Sequence, residues 1–295
     1  MGTKYKFWFS NIADGEDDFI FKQGRPGTGE DWAEKIASEL ASTIKLPHAE
    51  YDLAVYNDMQ GVISKKVNPD PRSRLILGNE LIGKTYTNEG QVLTHQERIR
   101  EHTIGRVMSY FRASNEIIET PISPIFEKTR HIQTALDIFI GYLMFDTWIA
   151  NQDRHDENWG VIRMPDGNSF LSPTFDHGSS MGRNETDIRR TLMLKTRDKN
   201  QHINRYIEKA RSGLFSTASN SDKKSLLTIE AFLQASKQNI MASSEWRERL
   251  ASVSNNSILS IVNNVPTEFM TDISKEFTFN LLKLNKSRII SSSAP

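Results

Sequence analysis

Residues 151–160 read Asn151-Gln152-Asp153-Arg154-His155-Asp156-Glu157-Asn158-Trp159-Gly160, a polar loop that comes after the most apolar run of the chain, residues 138–150. Four residues separate Asp153 from Asn158. A loop carboxylate such as Asp153 can accept a hydrogen bond from a substrate hydroxyl. An amide carbonyl five positions on can turn back to hold Mg2+, a cation that prefers hard oxygen donors and keeps several of its waters. Taken alone, this spacing suggests metal-assisted group transfer and goes no further.

On the C-terminal side, residues 159–164 and 169–174 flank Pro165-Asp166-Gly167 and predict a hairpin. That hairpin returns the chain so that Asp176 comes beside Asn158 as a second oxygen ligand. Upstream, residues 129–150 predict an amphipathic helix with Ile132, Leu136, Phe139 (or Ile140) and Leu143 on one face. Residues 95–111 predict another. The first part of the chain has a different texture. Residues 6–10 and 18–22 are short aromatic strands around Asp14-Gly15, and residues 24–29 form a glycine-rich turn. A helix comes next, with Asp31 as N-cap, Trp32, Ile36, Leu40 and Ile44 at helical spacing, and Pro47 as its stop. Residues 51–56 and 61–67 predict two more strands, and Pro69 and Pro71 mark a break. Polar helices are expected over residues 186–286, with a frayed serine-rich tail from Ser291.

The expected fold class is therefore α+β and two-lobed: a small β-rich N-lobe with one helix over residues 1–85, and a larger, mainly α-helical C-lobe over residues 86–295. Phosphoryl transfer needs a lysine for the phosphates, an acid to orient that lysine, oxygen ligands for Mg2+ and a carboxylate facing the attacking hydroxyl. Each part has a candidate. Lys22 ends a strand of the small lobe, and either Glu34 or Glu39 on the next helix could pair with it. Asp153 is spaced from Asn158 as in the catalytic loop of protein kinases, although here the histidine comes after the aspartate.

Composition restricts the alternatives. The chain has 295 residues, 37% hydrophobic and 25% charged, enough for two lobes sharing a cleft. Its 37 basic residues match 37 acidic ones, so bulk charge implies neither a nucleic acid nor a membrane as partner. Cysteine is absent, which removes disulfides, thiolate zinc sites and a cysteine nucleophile, and suits a reducing cytoplasm. No signal peptide is visible, and the longest apolar stretch is too short to span a bilayer and contains Asp146. A soluble, cytoplasmic protein is expected, with secretion as an effector the alternative.

The run Phe145-Asp146-Thr147-Trp148-Ile149-Ala150 through the loop to Val161, then Ser172-Pro173-Thr174-Phe175-Asp176-His177-Gly178-Ser179-Ser180-Met181-Gly182, strongly resembles the HipA-like serine/threonine kinases. Gly2 to Trp8 resembles the second half of that family's phosphate-covering loop, Ile20-Phe21-Lys22 its phosphate-binding lysine, and residues 30–41 the helix supplying the lysine's partner. Leu77-Gly78-Asn79-Glu80-Leu81 is similar too, so the resemblance covers about residues 2–182. It implies a fold distantly related to protein kinases and phosphatidylinositol kinases, with ATP and Mg2+ as cofactors. It also implies site roles: Asp153 as catalytic base, Asn158 and Asp176 as metal ligands, Lys22 and Gly2 at the phosphates, and Glu34 rather than Glu39 as the lysine's partner. In the family the glycine loop begins upstream of the residue matching Gly2, and larger relatives carry a separate N-terminal subdomain. Partners implied are a protein substrate bearing Ser or Thr and, for a toxin of a toxin–antitoxin pair, a DNA-binding antitoxin. An effector kinase, a lipid or small-molecule kinase and a nucleotide-binding pseudokinase are the other readings.

Several neighbours have plainer expectations. Arg154 braces the loop, His155 bonds its backbone, Asp156 and Glu157 are structural or face solvent, and Trp148 and Trp159 pack in the core. Asp176, His177 and Ser179 lie too close in sequence to form a hydrolytic triad. Residues 183–211 hold nine Lys or Arg against four Asp or Glu, either a solvated face or a site for an anionic partner.

Overall fold

The computed structural model describes residues 5–10, 18–68, 70–83, 94–115, 117–217 and 224–292. Gly2 and the Asp14-Gly15 turn lie outside the described residues. Strands β1 (Lys6–Ser10), β2 (Asp18–Gln23), β3 (Tyr51–Tyr56) and β4 (Met59–Lys65) form an antiparallel sheet in the order β1-β2-β4-β3. Asn57 and Asp58 join β3 to β4 with φ of 47° and 62°, the left-handed pair that a two-residue hairpin turn needs.

Because side chains alternate along a strand, the register sorts residues onto faces. Lys6 pairs with Lys22, Lys22 with Val62, and Val62 with Leu53, so these four share one face. The opposite face is aromatic: the Phe7 ring lies 5.3 Å from that of Phe21 and 4.7 Å from that of Tyr56.

Helix α1 (Glu30–Thr43) packs on the Leu53 and Val62 face through Trp32, Ile36 and Leu40, all buried as their spacing predicted. Its N-cap is Gly29 and not Asp31, which sits inside the first turn and accepts from Trp32 N–H at 2.8 Å. Gly29 is dictated by proximity: a Cβ there would fall 2.0 Å from the Trp32 ring. A side-chain cap is thus excluded by packing.

Strand β5 (Arg74–Leu77), which periodicity did not reveal, joins a second sheet of order β5-β7-β8-β6. Strands β7 (Gly160–Arg163) and β8 (Ser169–Leu171) are its expected hairpin, and the two-residue β6 (Ile118–Glu119) lies parallel to β8. Short strands such as β5 and β6 carry too few residues for alternation to register. Helix α2 (Gly78–Ile82) comes directly after β5.

The single helix expected over residues 95–111 is two, α3 (His95–Glu101) and α4 (Ile104–Ala113). The break comes because Thr103 caps α4, its Oγ1 accepting from Arg106 N–H at 3.3 Å, while His102 is drawn into the interior. Helix α5 (Ala135–Trp148) starts later than expected, at a capping box in which Thr134 and Asp137 exchange bonds. Nor is it amphipathic: all fourteen of its residues are buried, since α4, α8, α9 and α11 surround it. Helices α6 (Asp187–Lys195), α7 (Ile203–Glu208), α8 (Thr228–Ser236), α9 (Ile240–Ser252), α10 (Asn255–Asn263) and α11 (Asp272–Ser291) complete the larger part. Helix α11 ends at Ser291, where the expected frayed tail begins, and residues 293–295 of that tail lie outside the described residues. One continuous apolar core joins α1 to α5 and to these helices. Among the described residues no helix is long and apolar enough to cross a membrane.

Candidate active site

Helix α5 delivers the chain to the loop through a left-handed residue, Ala150 (φ 53°), and Asp146 on its last turn organises the loop from below. Asp146 Oδ2 accepts from Arg154 Nε and Oδ1 from Arg154 Nη2, both at 2.8 Å, and Oδ1 also accepts from Asn151 Nδ2 at 2.8 Å. Arg154 is completely buried; its Nη2 also donates to Thr174 Oγ1 at 2.9 Å and its Nη1 to the Asn158 carbonyl. Burial disfavours the Arg154 charge, and Asp146 more than offsets this, so its pKa is raised. A bidentate buried pair with its remaining donors satisfied fixes loop geometry, and removing one partner would strand a buried charge. Arg154 braces the loop, as expected. Gly213 closes the packing from outside, where a Cβ would come within 2.6 Å of the Arg154 backbone.

On this support the two ends of the loop face each other. Asn158 Nδ2 donates to the Asp153 carbonyl at 2.6 Å, and Asp153 N–H donates to Asn151 Oδ1 at 3.2 Å. The Asp153 side chain is half exposed, with one oxygen accepting from Ser179 Oγ at 3.3 Å. His155 bonds its own loop, Nδ1 accepting from Glu157 N–H at 3.1 Å. Trp148 and Trp159 are buried, and Trp159 Nε1 donates to His102 Nε2 at 3.1 Å.

The segment after β8 brings in Asp176 in a left-handed conformation (φ 59°), which an aspartate tolerates better than most residues. His177 Nε2 bonds Thr174 Oγ1 at 2.9 Å, and its N–H donates to Glu34 Oε2 at 2.8 Å. His177 Nε2 is thus committed to Thr174 and Ser179 Oγ to Asp153, and no hydrolytic triad forms. Burial, with Arg154 nearby, pushes the His177 imidazole well below its usual pKa, so it stays neutral.

A cleft of about 390 Å³ lies between the small sheet and this loop. Lys22, Glu34, Asp153, Asn158 and Asp176 all line it, so five of the six site residues expected from the sequence converge on one space. Glu34 is buried on α1, whereas Glu39 is tied to Lys35 at 2.6 Å and does not reach the cleft. Lys22 Nζ sits 5.5 Å over the Tyr51 ring. Tyr51, then the Asp176 and Glu34 carboxylates, raise its pKa against the cost of burial. Lys22 and Glu34 feel one another's charge without forming a direct ion pair. Burial pushes the Glu34 carboxyl up to about 8, Asp176 adding to the shift and Lys22 opposing it.

Other residues of the cleft escaped sequence reasoning. Lys6 stands beside Lys22 across the β1–β2 ladder and lines the same space. Glu30 takes an ion pair from buried Arg183 and a looser one from Arg25 at 3.6 Å. Arg183 Nη2 donates to Ser179 Oγ at 3.1 Å, which links the start of α1 to Asp153. Burial raises the Asp31 carboxyl to about 6. Asp146, a lone acid in an apolar run eight residues before Arg154, was a readable signal; the Glu30–Arg183 contact spans 153 residues and left none. Of the basic stretch, Arg183, Arg189, Arg190 and Arg205 have acidic partners, while Lys195, Arg197, Lys199 and Lys209 are exposed.

The donor set suits an open Mg2+ site. The amide nitrogen of Asn158 is committed to the Asp153 carbonyl, which leaves Asn158 Oδ1 as the free end, and Asp176 contributes a carboxylate to the same cleft. Among the described residues no three His, Cys, Asp or Glu side chains form a closed metal cage. A cation held by two protein oxygens, with nucleotide and water completing its shell, needs none.

Comparison with known proteins bears on this geometry. No protein-family model matches the chain. Over 156 residues it is 29% identical to the serine/threonine-protein kinase CtkA of Helicobacter pylori, a match covering 52% of this chain and 43% of that protein. The matched stretch is thus less than half of the curated relative's length. The crystal structure of CtkA, described as a proinflammatory kinase, superposes with a TM-score of 0.70 at 20% identity over 97% of this chain and 91% of that one. HipA of Shewanella oneidensis, solved with HipB and operator DNA, superposes with a TM-score of 0.60 at 13% identity over 99% of this chain and 67% of that one. The fold is that of the HipA-like kinases, and the resemblance read from the sequence holds at that level.

Proposed function

We propose that this chain is an ATP-dependent serine/threonine protein kinase of the HipA-like type. The observation that carries the reading is the convergence of Lys22, Glu34, Asp153, Asn158 and Asp176 on one cleft, with the Asp153 side chain half exposed. The likeness to CtkA supports the reaction class. In this division of labour residues 1–85 hold the ATP phosphates and residues 86–295 supply the catalytic loop and metal ligands.

Lys22 and Lys6 present two ammonium groups on one face of the hairpin, where an anion between them would relieve their mutual repulsion. Glu34, held by His177 N–H, limits where Lys22 can point. Asn158 and Asp176 would hold Mg2+, which when bound supplies charge neutralisation at the phosphates. Asp153 receives the acceptor hydroxyl through a hydrogen bond. The hydroxyl oxygen attacks the γ-phosphorus, the bond from phosphorus to the β,γ-bridging oxygen breaks, and ADP leaves with that electron pair. The hydroxyl proton passes to Asp153. Positioning and electrostatics, rather than covalent chemistry by the protein, account for most of such a rate.

The test is transfer of labelled γ-phosphate to protein, comparing wild type with Asp153→Asn and Asp176→Asn. Loss in both variants is expected, and rates equal to wild type would sink the assignment. A role as the toxin of a toxin–antitoxin pair, restrained by a DNA-binding partner in the cytoplasm, is suggested by the likeness to HipA and is read by growth. Expression that arrests cells only with Asp153 intact is the expected outcome; a harmless wild type favours an effector role instead.

A further inference from the structure

We infer that Arg183 and Glu30 are positioning residues for Asp153, acting through Ser179 to fix which carboxylate oxygen meets the acceptor hydroxyl. The inference rests on the kinase reading and adds to it how the base is aimed.

Asp153 needs aiming. Its side chain is half exposed, and its bonds to Asn151 and Asn158 run through its backbone N–H and carbonyl, which leave the carboxylate able to turn. Ser179 Oγ donates to Oδ2 at 3.3 Å, while His155 Nε2 lies 3.6 Å from Oδ1, too far for a hydrogen bond. Oδ2 is thus the anchored oxygen and Oδ1 the one open to a substrate. A serine hydroxyl has one proton to give, and rotation about its Cβ–Oγ bond decides where that proton points. Arg183 Nη2 donates to the same Oγ at 3.1 Å, so it occupies a lone pair and turns the proton towards Asp153. A hydroxyl that accepts from a cation is also the stronger donor.

Arg183 is fixed in turn by the start of α1. Its Nη1 donates to Glu30 Oε1, and its carbonyl accepts from Gly29 N–H at 3.1 Å. Glu30 lies one helical turn before Glu34, which accepts from His177 N–H. Helix α1 therefore grips the segment 177–183 at two points, one beside Asp176 in the chain and one leading to Asp153.

Stability alone does not account for the Glu30–Arg183 pair. A buried ion pair adds little over apolar side chains of the same volume, and Arg183 Nε has no partner among the described residues. Glu30 cancels the charge of the guanidinium, so Arg183 gives Asp153 direction rather than net attraction. What the pair supplies is a rigid fork, one nitrogen on α1 and the other on Ser179.

Transfer of labelled γ-phosphate by the full chain to a serine-centred peptide library tests this, alongside urea midpoints. Ser179→Ala should lower kcat about 5- to 20-fold with KM for ATP within about twofold. Arg183→Lys keeps the charge opposite Glu30 but loses the fork, and should lower kcat by a similar factor with its urea midpoint little changed. Because both act through one bond, the double variant should be no more than about twofold slower than the slower single one. The inference is overturned if either single variant keeps the wild-type kcat, if the two losses multiply, or if kcat falls only in step with the urea midpoint. Should Arg183→Lys fail to fold, Ser179→Ala in the Asp153→Asn background decides: a loss below about twofold upholds the inference, and the full loss removes it. Wild type that transfers no phosphate takes the kinase reading and the inference together, whereas an active wild type matched by Ser179→Ala takes only the inference.

Discussion

The two walls of the cleft are built by different rules. On the C-lobe side the loop from Asn151 to Asn158 hangs on a buried network in which Asp146, Arg154, Asn151 and Thr174 satisfy one another at 2.8–2.9 Å. On the small-lobe side Lys22 rests over an aromatic ring at 5.5 Å, and its expected partner Glu34 is bonded to the backbone of His177 instead. One wall is preorganised by saturation of its hydrogen bonds; the other keeps a lysine and a carboxyl close without pairing them. In the proposed kinase a base and metal ligands would need fixed geometry, whereas phosphate-binding groups could complete their pairing when the nucleotide arrives.

The largest effect expected from breaking this comparison is chemical. Asp153→Asn should lower the rate of phosphoryl transfer roughly 10²- to 10⁴-fold while leaving the melting temperature unchanged, because the carboxylate is half exposed and outside the Asp146 network. Asp146→Ala should do the converse. It strands a buried guanidinium and should cost about 3–5 kcal/mol in urea unfolding, with activity lost only as a consequence. If Asp146→Ala is as stable as wild type, the loop is not held by that pair.

Across the cleft, Lys22→Met and Glu34→Gln should each raise KM for ATP by about tenfold, and below about pH 4.5, where the Glu34 carboxyl is protonated in folded and unfolded chains alike, Glu34→Gln should change stability by less than about 1 kcal/mol. Equal losses of stability on both walls would erase the distinction between them. Glu39→Gln, on the same helix but outside the cleft, should leave KM for ATP within about twofold.

The walls should also respond to pH in opposite directions. Burial raises Glu34 from 4.5 to about 8, so the folded state holds that proton more tightly than the unfolded chain, and stability is lost as pH rises between those values. Beneath the loop, burial lowers His102 from 6.5 to about 4, so the unfolded chain takes up the proton first and stability is lost as pH falls through that window. For His102 the loss should be about 1–2 kcal/mol between about pH 6.5 and 5, measured by urea midpoints, and His102→Gln should flatten that limb. Glu39→Gln aside, the smallest expected effect is Lys6→Gln, a rise of about twofold to threefold in KM for ATP, since Lys6 is exposed and screened.

Legibility in the sequence tracks the range of the interactions. The strands of the small sheet and helix α1 could be read because alternation and 3.6-residue spacing are local. The break at His102 and the all-round burial of α5 could not, because both depend on packing partners: Trp159 on His102, and four helices on α5. Only the family resemblance favours Glu34 over Glu39 in the sequence, since both occupy the same helix and propensity does not distinguish them. Packing distinguishes them, with Glu34 under His177 and Glu39 beside Lys35.

By itself the sequence determined the α+β class and the polar loop from Asn151 to Gly160 that carries Asp153 and Asn158, because those depend on neighbours within a few turns of chain, while the kinase-like fold was legible only through the family resemblance. Only tertiary structure decided that Asp146 is the brace for Arg154, that Glu30 and Arg183 join α1 to the segment after Asp176, and that Ser179 links Arg183 to Asp153. The reason is physical. A pairing between residues 30 and 183 exists only once burial has removed water as the competing partner, and burial is a property of the whole fold.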